Sequence, residues 1–184
     1  MKFVSHSVFE TEDFAKKYVT ALLAARKSAE STRAFVLGLY GNLGSGKTAF
    51  TKAVGAALGI QDSMTSPTFV IEKIYPLTHS LSTPDSQASA QSFAHSDFGT
   101  AYTQASPQSS SHNFGVFTHL IHIDAYRLES SDEMKHLGWD EIAANPGNLI
   151  IIEWPERIAD LLPADHARLK FTFIDETTRE IESL

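Results

Sequence analysis

Residues 34–48 have the sequence Ala-Phe-Val-Leu-Gly-Leu-Tyr-Gly-Asn-Leu-Gly-Ser-Gly-Lys-Thr, and the fold we expect is built outward from them. The first seven residues are mostly apolar and rich in strand formers, in a length typical of a buried strand. The last eight fit the pattern G-x-x-x-x-G-K-[ST]. Apolar residues then recur at three- and four-residue spacing as far as Gly59. These patterns predict a strand, a tight loop and a helix in succession.

The loop at residues 41–48 has the residue types that bind the phosphates of a nucleoside triphosphate. Gly41, Gly44 and Gly46 allow the backbone to bend so that successive amide N–H groups converge on one phosphate. The dipole of the following helix adds to this attraction. Lys47 has a long stem that can reach the β- and γ-phosphates, and the Thr48 hydroxyl can bind Mg²⁺. The sequence therefore predicts a nucleoside triphosphate site.

Further strands are predicted from apolar runs and from alternating patterns. They lie at residues 67–75, 116–123, 148–152 and 168–174. Helices are predicted between several of these strands, so that the two kinds of element interleave. This order indicates an α/β fold, a P-loop NTPase-like three-layer sandwich with a central, largely parallel sheet. In such a sheet the ligand lies at the carboxyl ends of the strands.

Three more helices are predicted from caps and from helical spacing. Thr11 precedes two acidic residues and an apolar stripe that continues to Ala25, which predicts a helix with Thr11 as its N-cap. A short helix is expected at residues 131–137, with Gly138 as its end. Pro155 is suited to the first turn of a last helix, which ends near residues 162–163.

Composition limits the class of protein. The 184 residues fit a single domain, and the net charge of −7 disfavours a free-standing nucleic-acid-binding protein, which usually needs a basic surface. The chain has no cysteine, so disulfides and thiolate metal sites are excluded. Residues 1–10 lack the apolar core of a signal peptide, and no apolar run approaches membrane-spanning length. We therefore expect a soluble, cytoplasmic protein.

Residues 78–115 differ in composition from the rest of the chain. They are dominated by Ser, Gln, Thr, Ala and His, and they lie within a longer stretch, residues 74–126, that contains no Lys or Arg. Few branched apolar residues are present to offset the entropy cost of ordering such a segment. We interpret residues 78–115 as a low-complexity insertion, either a flexible loop or the tip of an extended hairpin.

Two acidic residues follow buried strands, where a phosphate loop needs them. Asp124 ends the run at residues 119–124, and Glu153 ends the run at residues 149–153. Both carboxylates are expected near the γ-phosphate, one toward Mg²⁺ and the other toward the attacking water. Alternatively, Glu153 caps the next helix and Asp124 forms a turn. Together with the loop, the two residues predict a hydrolytic site.

Four motifs occur in a fixed order along the chain. They are Gly-Asn-Leu-Gly-Ser-Gly-Lys-Thr at 41–48, Ser-Pro-Thr-Phe at 66–69, His-Ile-Asp-Ala-Tyr-Arg-Leu at 122–128 and Ile-Glu-Trp-Pro-Glu at 152–156. In this order they resemble the TsaE (YjeE) family of ATPases in bacterial tRNA threonylcarbamoyladenosine biosynthesis. The resemblance covers essentially the whole chain outside residues 78–115, where members of the family usually have a short hairpin.

The resemblance implies a Mg²⁺-dependent ATPase that is weak alone and acts with the TsaB and TsaD proteins. The complex places a threonylcarbamoyl group on the adenosine beside the anticodon of certain tRNAs. This chain would drive or reset the complex by binding and hydrolysing ATP. It would meet tRNA only indirectly, through the complex, and would have no membrane partner.

The resemblance also assigns roles by motif. Lys47 binds the β/γ-phosphates, Thr48 and Glu153 bind Mg²⁺, and Thr68 lies on a switch segment, residues 66–68, near the γ-phosphate. Asp124 is the hydrolytic or water-ordering carboxylate, although which of Asp124 and Glu153 orders the water stays open. The implied catalytic residues are Asp124, Glu153 and Lys47, and the implied ATP-binding residues are Gly41, Asn42, Leu43, Gly44, Ser45, Gly46, Lys47, Thr48, Ala49, Thr68 and Trp154.

Other positions keep two interpretations. Trp154 either borders the nucleotide or a partner surface, or packs at the strand end. Arg127 either stabilises charge near the phosphates or forms a salt bridge with a helix carboxylate. Residues around Ser5 and His6 are expected near the adenine, from the alignment of the first helix alone.

Three other kinds of nucleotide-binding protein share the loop. A P-loop small-molecule kinase should carry a lid with several arginines, whereas residues 78–115 contain no cation. A regulatory GTPase should have Asn-Lys-x-Asp and Asp-x-x-Gly motifs, which are missing. A nucleotide-controlled assembly factor without significant turnover differs from the ATPase only in whether Asp124 and Glu153 promote hydrolysis.

Overall fold

The computed structural model describes residues 2–27, 31–60, 64–77 and 116–184. The expectation of an insertion at residues 78–115 lies outside the described residues and stays a prediction. None of the helices in the described ranges has the length and hydropathy of a membrane-spanning segment.

A mixed sheet of seven strands forms the middle of the fold. The strands are β1 (Lys2–Ser5), β2 (Phe35–Tyr40), β3 (Glu72–Pro76), β4 (His119–Asp124), β5 (Asn148–Glu153), β6 (Ala167–Phe173) and β7 (Arg179–Ser183). Their order across the sheet is β1-β7-β6-β2-β5-β4-β3. The four central strands, β6, β2, β5 and β4, are parallel, and the remaining pairings are antiparallel. The prediction of a central, largely parallel sheet is confirmed.

Helices cover both faces of the sheet. The helices are α1 (Val8–Lys27), α2 (Lys47–Ala57), α3 (Ser131–His136) and α4 (Trp139–Ala144), with two short 3-10 helices, Ala125–Arg127 and Pro155–Ile158. Buried residues of α1 and α2 pack on one face, and those of α3, α4 and the second 3-10 helix pack on the other. The predicted three-layer sandwich is therefore confirmed.

The core beneath α1 and α2 is centred on Phe50. Its ring centroid lies 6.0 Å from that of Phe14, 5.9 Å from Tyr18 and 5.5 Å from Phe171, with tilted or edge-on geometry. These contacts join α2 to α1 and to β6. Since α2 begins at Lys47, they also fix the position of the loop that precedes it.

The strand, loop and helix predicted from residues 34–48 are present. The apolar run forms β2, with four consecutive buried residues, and α2 begins directly after Gly46. Gly59 has a positive φ of 87° after the end of α2, as its expected role requires. The predicted buried strand at 148–152 is β5, all six residues of which are buried.

The first helix begins earlier than predicted. Thr11 lies inside α1 and is buried, whereas the helix begins at Val8. The Glu10 amide donates to Ser7 Oγ at 3.1 Å, and Glu10 Oε2 accepts from the His6 amide at 2.8 Å. This reciprocal pair performs the capping that the sequence assigned to Thr11.

The strand predicted at residues 67–75 is wrong in its first half. The Pro67 carbonyl accepts from the amides of Val70 and Ile71, at 2.8 and 2.6 Å, which closes a local turn. Ile71 then has a φ of 67°, which a strand cannot accommodate. The chain reaches extended geometry only at β3, and β4 begins three residues later than the predicted strand at 116–123.

The predictions for the end of the chain need three corrections. Gly138 ends α3 as expected, but it also begins α4, which was not predicted. After Pro155 there is a single 3-10 turn instead of a helix that reaches residues 162–163. The last predicted strand is β6, and β7 follows it. The sequence patterns missed both β7 and β1, which pair with each other.

Candidate active site

The loop between β2 and α2 has a backbone that only glycine can adopt at its key positions. Gly41 and Gly46 have φ values of 135° and 103°. A Cβ atom at Gly41 would lie 2.2 Å from the Phe171 carbonyl oxygen, so β6 itself excludes a side chain there. The loop therefore passes directly against β6 before α2 begins.

Lys47 is folded back over this loop. It is only 4% exposed. Its Nζ donates to the carbonyl oxygens of Gly41 and Asn42, at 2.7 and 2.9 Å. Nζ also lies 4.2 Å from the ring centroid of Trp154. Burial lowers the pKa of Lys47, and the nearby carboxylates of Glu153, Glu156 and Asp124 act in the opposite direction. Within the described residues the Lys47 ammonium forms no ion pair, and its hydrogen bonds are to the loop carbonyls.

The two predicted acidic residues lie next to each other. Asp124 and Glu153 end the parallel strands β4 and β5 in direct register, and both are buried. The Thr48 hydroxyl donates to Glu153 Oε2 at 2.8 Å. The structure therefore brings the first turn of α2 and the ends of two strands to one point, as expected from the parallel sheet.

Asp124 is held by the switch segment, residues 66–68. Thr68 Oγ1 donates to Asp124 Oδ2 at 2.5 Å, and Ser66 Oγ lies 2.6 Å from the same Thr68 oxygen. The other carboxylate oxygen, Oδ1, accepts from the Tyr126 amide at 3.1 Å. Both oxygens of Asp124 therefore have donors from protein groups.

His122 was not predicted as a site residue. It is fully buried on β4, and its Nε2 lies 2.8 Å from Glu153 Oε1. A histidine in an apolar strand is usually a core residue, so composition gives no signal for it. Two signals were available: His122 is the first residue of the motif at 122–128, and its two-residue spacing places it on the same face of β4 as Asp124.

A cavity of about 670 Å³ opens above these residues, within the size range of small-molecule sites. Most of the predicted ATP-binding residues line it. These are Leu43, Gly44, Ser45, Gly46, Lys47, Thr48, Ala49, Thr68 and Trp154, together with the predicted catalytic residues Asp124 and Glu153. Gly41 and Asn42 lie outside the lining and contact Lys47 through their carbonyl groups.

The far side of the cavity was not predicted in detail. Ser7, Val8 and Thr11 come from the start of α1, Glu176 and Thr177 come from the connection of β6 to β7, and Arg179 is the first residue of β7. Ser5 and His6 are not part of the lining. Ser5 is fully buried beneath this wall, with its Oγ 2.8 Å from Thr11 Oγ1. The start of α1 thus borders the cavity from Ser7, the residue directly after His6.

The side chains of Trp154 and Arg127 both lie against aromatic rings. Trp154 has a left-handed backbone, with φ of 60°, and its ring lies between Lys47 and Tyr126, 5.1 Å from the Tyr126 ring centroid. Arg127 is exposed, and its guanidinium stacks 4.5 Å from the ring centroid of Phe69. Arg127 forms no ion pair within the described residues and does not line the cavity, so it occupies neither of its two expected positions.

The donor set of the site fits a magnesium nucleotide. The Thr48 hydroxyl and the Glu153 carboxylate are hard oxygen ligands of the kind that Mg²⁺ prefers. Ser45 Oγ is buried and has no hydrogen-bond partner within the described residues. Such an orphaned donor, two residues before the start of α2, suits a phosphate oxygen. Within the same residues, no group of three or more His, Cys, Asp or Glu side chains forms a separate metal site.

Comparison with known proteins gives a match over nearly the whole chain. A family model described as "Threonylcarbamoyl adenosine biosynthesis protein TsaE" matches residues 5–98 and 100–181. The chain is 30% identical to the tRNA threonylcarbamoyladenosine biosynthesis protein TsaE of Streptomyces coelicolor over 133 residues, which cover 72% of this chain and 64% of that protein. It therefore spans slightly less than two thirds of that relative's length.

Other relatives are covered more fully. The protein of the same name from Bacillus subtilis is 30% identical over 162 residues, 88% of this chain and 77% of the relative. Among solved structures, the crystal structure of Bacillus subtilis YdiB has a TM-score of 0.56 and 26% identity, and the match covers 100% of this chain and 83% of that one.

Proposed function

The chain belongs to the TsaE family of threonylcarbamoyl adenosine biosynthesis proteins, and from this membership we propose that it is a Mg²⁺-dependent ATPase. Its ATP binding and hydrolysis would drive or reset a complex of TsaB and TsaD proteins in the cytoplasm. That complex places a threonylcarbamoyl group on the adenosine beside the anticodon of certain tRNAs. The observation that carries the ATPase proposal is the hydrogen bond from Thr48 to Glu153, at 2.8 Å, beside the folded-back Lys47.

In this proposal the loop binds and orients ATP. Amides of residues 41–48 and the Lys47 ammonium contact the β- and γ-phosphates, and the phosphate oxygens take over the Lys47 hydrogen bonds that Gly41 and Asn42 now accept. The wall formed by Ser7, Val8 and Arg179 borders the remainder of the nucleotide. ATP is thereby held with its γ-phosphate toward the ends of β4 and β5.

Thr48 and Glu153 are the residues that would hold Mg²⁺. The ion, when bound, neutralises charge on the phosphate oxygens during hydrolysis. Asp124 lies beside Glu153 in register and lines the same cavity, so it would orient or deprotonate the attacking water once Thr68 no longer donates to it. Release of Asp124 by Thr68 would couple the switch segment to the hydrolytic step.

The partner proposal is supported by exposed apolar side chains at the cavity, Leu43 and Tyr126, and by two that follow the lining residue Thr68 in the chain, Phe69 and Val70. Leu43 and Phe69 are 82% and 83% exposed, and Val70 and Tyr126 are also exposed. Apolar side chains of this size at the mouth of a site are typical of a surface that another protein covers. A partner bound there would control water access and the position of the switch segment.

The test combines this protein with TsaB, TsaD and tRNA, and measures ATP hydrolysis and tRNA modification with each protein omitted in turn. We expect slow hydrolysis alone, faster hydrolysis with the partners, and modification that needs all three proteins. Equal rates of hydrolysis with and without the partners, together with tRNA modification that does not need this protein, would favour an independent ATPase or a small-molecule kinase. ATP binding and tRNA modification without turnover would favour an assembly factor.

A further inference from the structure

His122 is an unusual residue for the layer in which it lies. It is fully buried on the face of the sheet that packs against α1 and α2, where its neighbours in the strands, Leu120 and Ile151, belong to the apolar core. Its Nδ1 is buried and has no hydrogen-bond partner in the described part of the chain. A half-satisfied imidazole costs free energy that an apolar side chain would not. Packing alone therefore does not account for it.

The one polar contact of this ring in the described residues is with Glu153. Nε2 lies 2.8 Å from Glu153 Oε1, and a carboxylate accepts hydrogen bonds, so the proton is on Nε2. The second carboxylate oxygen, Oε2, accepts from Thr48 at 2.8 Å. Each oxygen of Glu153 thus has its own donor, one from β4 and one from α2.

These two hydrogen bonds determine which oxygen faces the loop. A carboxylate at the end of a strand can rotate about its terminal bond, which has broad, roughly two-fold preferences. His122 binds one oxygen from within the sheet and leaves the other beside the Thr48 hydroxyl. Hydrogen bonds to metal-binding carboxylates commonly fix them in this way.

We propose that His122 is a positioning residue, which orients the Glu153 carboxylate toward Thr48 so that the pair is ready for Mg²⁺. This inference rests on the proposed function, because it concerns the same site. In the described part of the chain, His122 has no hydrogen bond to residues 41–48 and does not line the cavity, so we argue its role through Glu153.

Two variants and one control test the proposal. His122→Leu removes the donor at similar volume, and His122→Gln retains an N–H donor at about the same reach. Ile121→Val is the control, because Ile121 is equally buried on the same strand but belongs to the core on the opposite face. For each protein, ATP affinity is measured by calorimetry in EDTA and across a Mg²⁺ titration.

The Mg²⁺ titration has a midpoint, the Mg²⁺ concentration at which half of the metal-dependent gain in ATP affinity is reached. For His122→Leu we expect this midpoint to rise about 10- to 100-fold. The value should stay near that of the unchanged protein for His122→Gln and Ile121→Val, and affinity in EDTA should be the same for all four proteins. An unshifted His122→Leu, an equal shift in His122→Gln, or an equal shift in Ile121→Val would overturn the proposal. The unchanged protein separates this failure from a failure of the proposed function. If its ATP affinity does not increase with Mg²⁺, the proposed function fails. If its affinity does increase and His122→Leu shows no shift, only the role of His122 is overturned.

A second measurement needs neither metal nor nucleotide and does not depend on how His122→Leu folds. Nitrogen-15 NMR of the metal-free protein should find the His122 proton on Nε2, with a resonance that moves in Glu153→Gln. A proton on Nδ1, or a resonance insensitive to Glu153→Gln, would overturn the proposal.

Discussion

Three polar side chains of the site have hydrogen-bond partners within the protein. Lys47 donates to two loop carbonyls, Thr48 donates to Glu153, and Thr68 donates to Asp124. Buried polar groups need such partners, because an unsatisfied one costs about 1–3 kcal/mol. Phosphate oxygens can replace the loop carbonyls as acceptors for Lys47, and a cation can replace the Thr48 hydroxyl as the partner of the Glu153 carboxylate.

Removing either carboxylate should separate binding from turnover. For Asp124→Ala and Glu153→Ala we expect ATP hydrolysis to fall about 10²- to 10⁴-fold, because the water or the metal loses its carboxylate. ATP binding should remain measurable, since Lys47 and the loop amides are unchanged. Asp140→Ala, at an exposed carboxylate of α4, is the control. Unchanged hydrolysis in both site variants would remove Asp124 and Glu153 from the proposed mechanism.

Glu72 makes the stability depend on pH. Burial raises the pKa of Glu72 from its ordinary 4.5 to about 7, and its Oε2 has no hydrogen-bond partner in the described residues. The folded state therefore binds this proton more tightly than the unfolded chain does. Its contribution to stability is present at low pH and is lost as the pH rises from about 4.5 to about 7.

Glu72→Gln keeps the shape of this side chain and removes its charge. We expect the free energy of unfolding, measured with urea, to increase by about 1–3 kcal/mol at pH 8 and to change little near pH 4.5. Glu129→Gln, at an exposed position, should have no such effect. If Glu72→Gln and the unchanged protein are equally stable at pH 8, the pKa of Glu72 is not raised in the folded protein.

At the scale of elements, the sequence predicted those that carry strong local patterns. The strand, loop and helix at residues 34–58 and the fully buried β5 follow from apolar runs and from glycine positions. In contrast, β1 and β7 are short, charged strands whose partner is the other end of the chain, which a local pattern cannot reveal. The strand predicted at 67–75 failed because the turn at Pro67 replaces extended structure.

The same contrast applies to the site. The loop, Asp124 and Glu153 could be predicted because each ends or follows a recognisable strand, and the described structure brings them together. His122 could not be predicted, since its role appears only in its 2.8 Å contact with a residue from another strand. The wall from the β6–β7 connection was missed because β7 itself was missed.

The start of α1 offers a test of its observed cap. Ser7→Ala removes the acceptor for the Glu10 amide, and we expect it to lower the free energy of unfolding by about 1 kcal/mol. Thr20→Ala, in the same helix, is the matched control, because its hydroxyl only donates to the Lys16 carbonyl at an exposed position. Urea denaturation without nucleotide measures both. If Ser7→Ala and Thr20→Ala are equally stable, Ser7 is not the residue that caps α1.

At the scale of the whole molecule, the sheet order creates the site. β2, β5 and β4 are neighbours and parallel, so the ends of strands that are far apart in the sequence meet at one edge. β3 and β7 run antiparallel to these strands and add no carboxyl ends there, whereas β1, antiparallel to β7, runs in the same direction as the central strands, and the start of α1 after it lines the cavity. The sequence predicted a parallel centre but contained no signal for this order.

The predicted insertion can be tested by deletion. β3 and β4 are antiparallel neighbours in which Pro76 pairs with His119, and the Leu77 amide donates to the Thr118 carbonyl at 2.8 Å. A short turn can therefore join the two strands. We expect a protein in which such a turn replaces residues 78–115 to fold and to bind ATP with unchanged affinity. A collapse of its thermal transition would show that residues 78–115 belong to the core.

The central claim is that residues 41–48 bind the phosphates of ATP together with Mg²⁺. Calorimetric titration of ATP in the presence of Mg²⁺, on the unchanged protein and on Lys47→Ala, tests it most directly. Lys52→Ala is the matched control, because Lys52 is an exposed lysine of the same helix. We predict saturable binding to the unchanged protein and to Lys52→Ala, and none measurable to Lys47→Ala, since charge-assisted bonds to phosphate are among the strong ones. Near-normal ATP affinity of Lys47→Ala would contradict the claim.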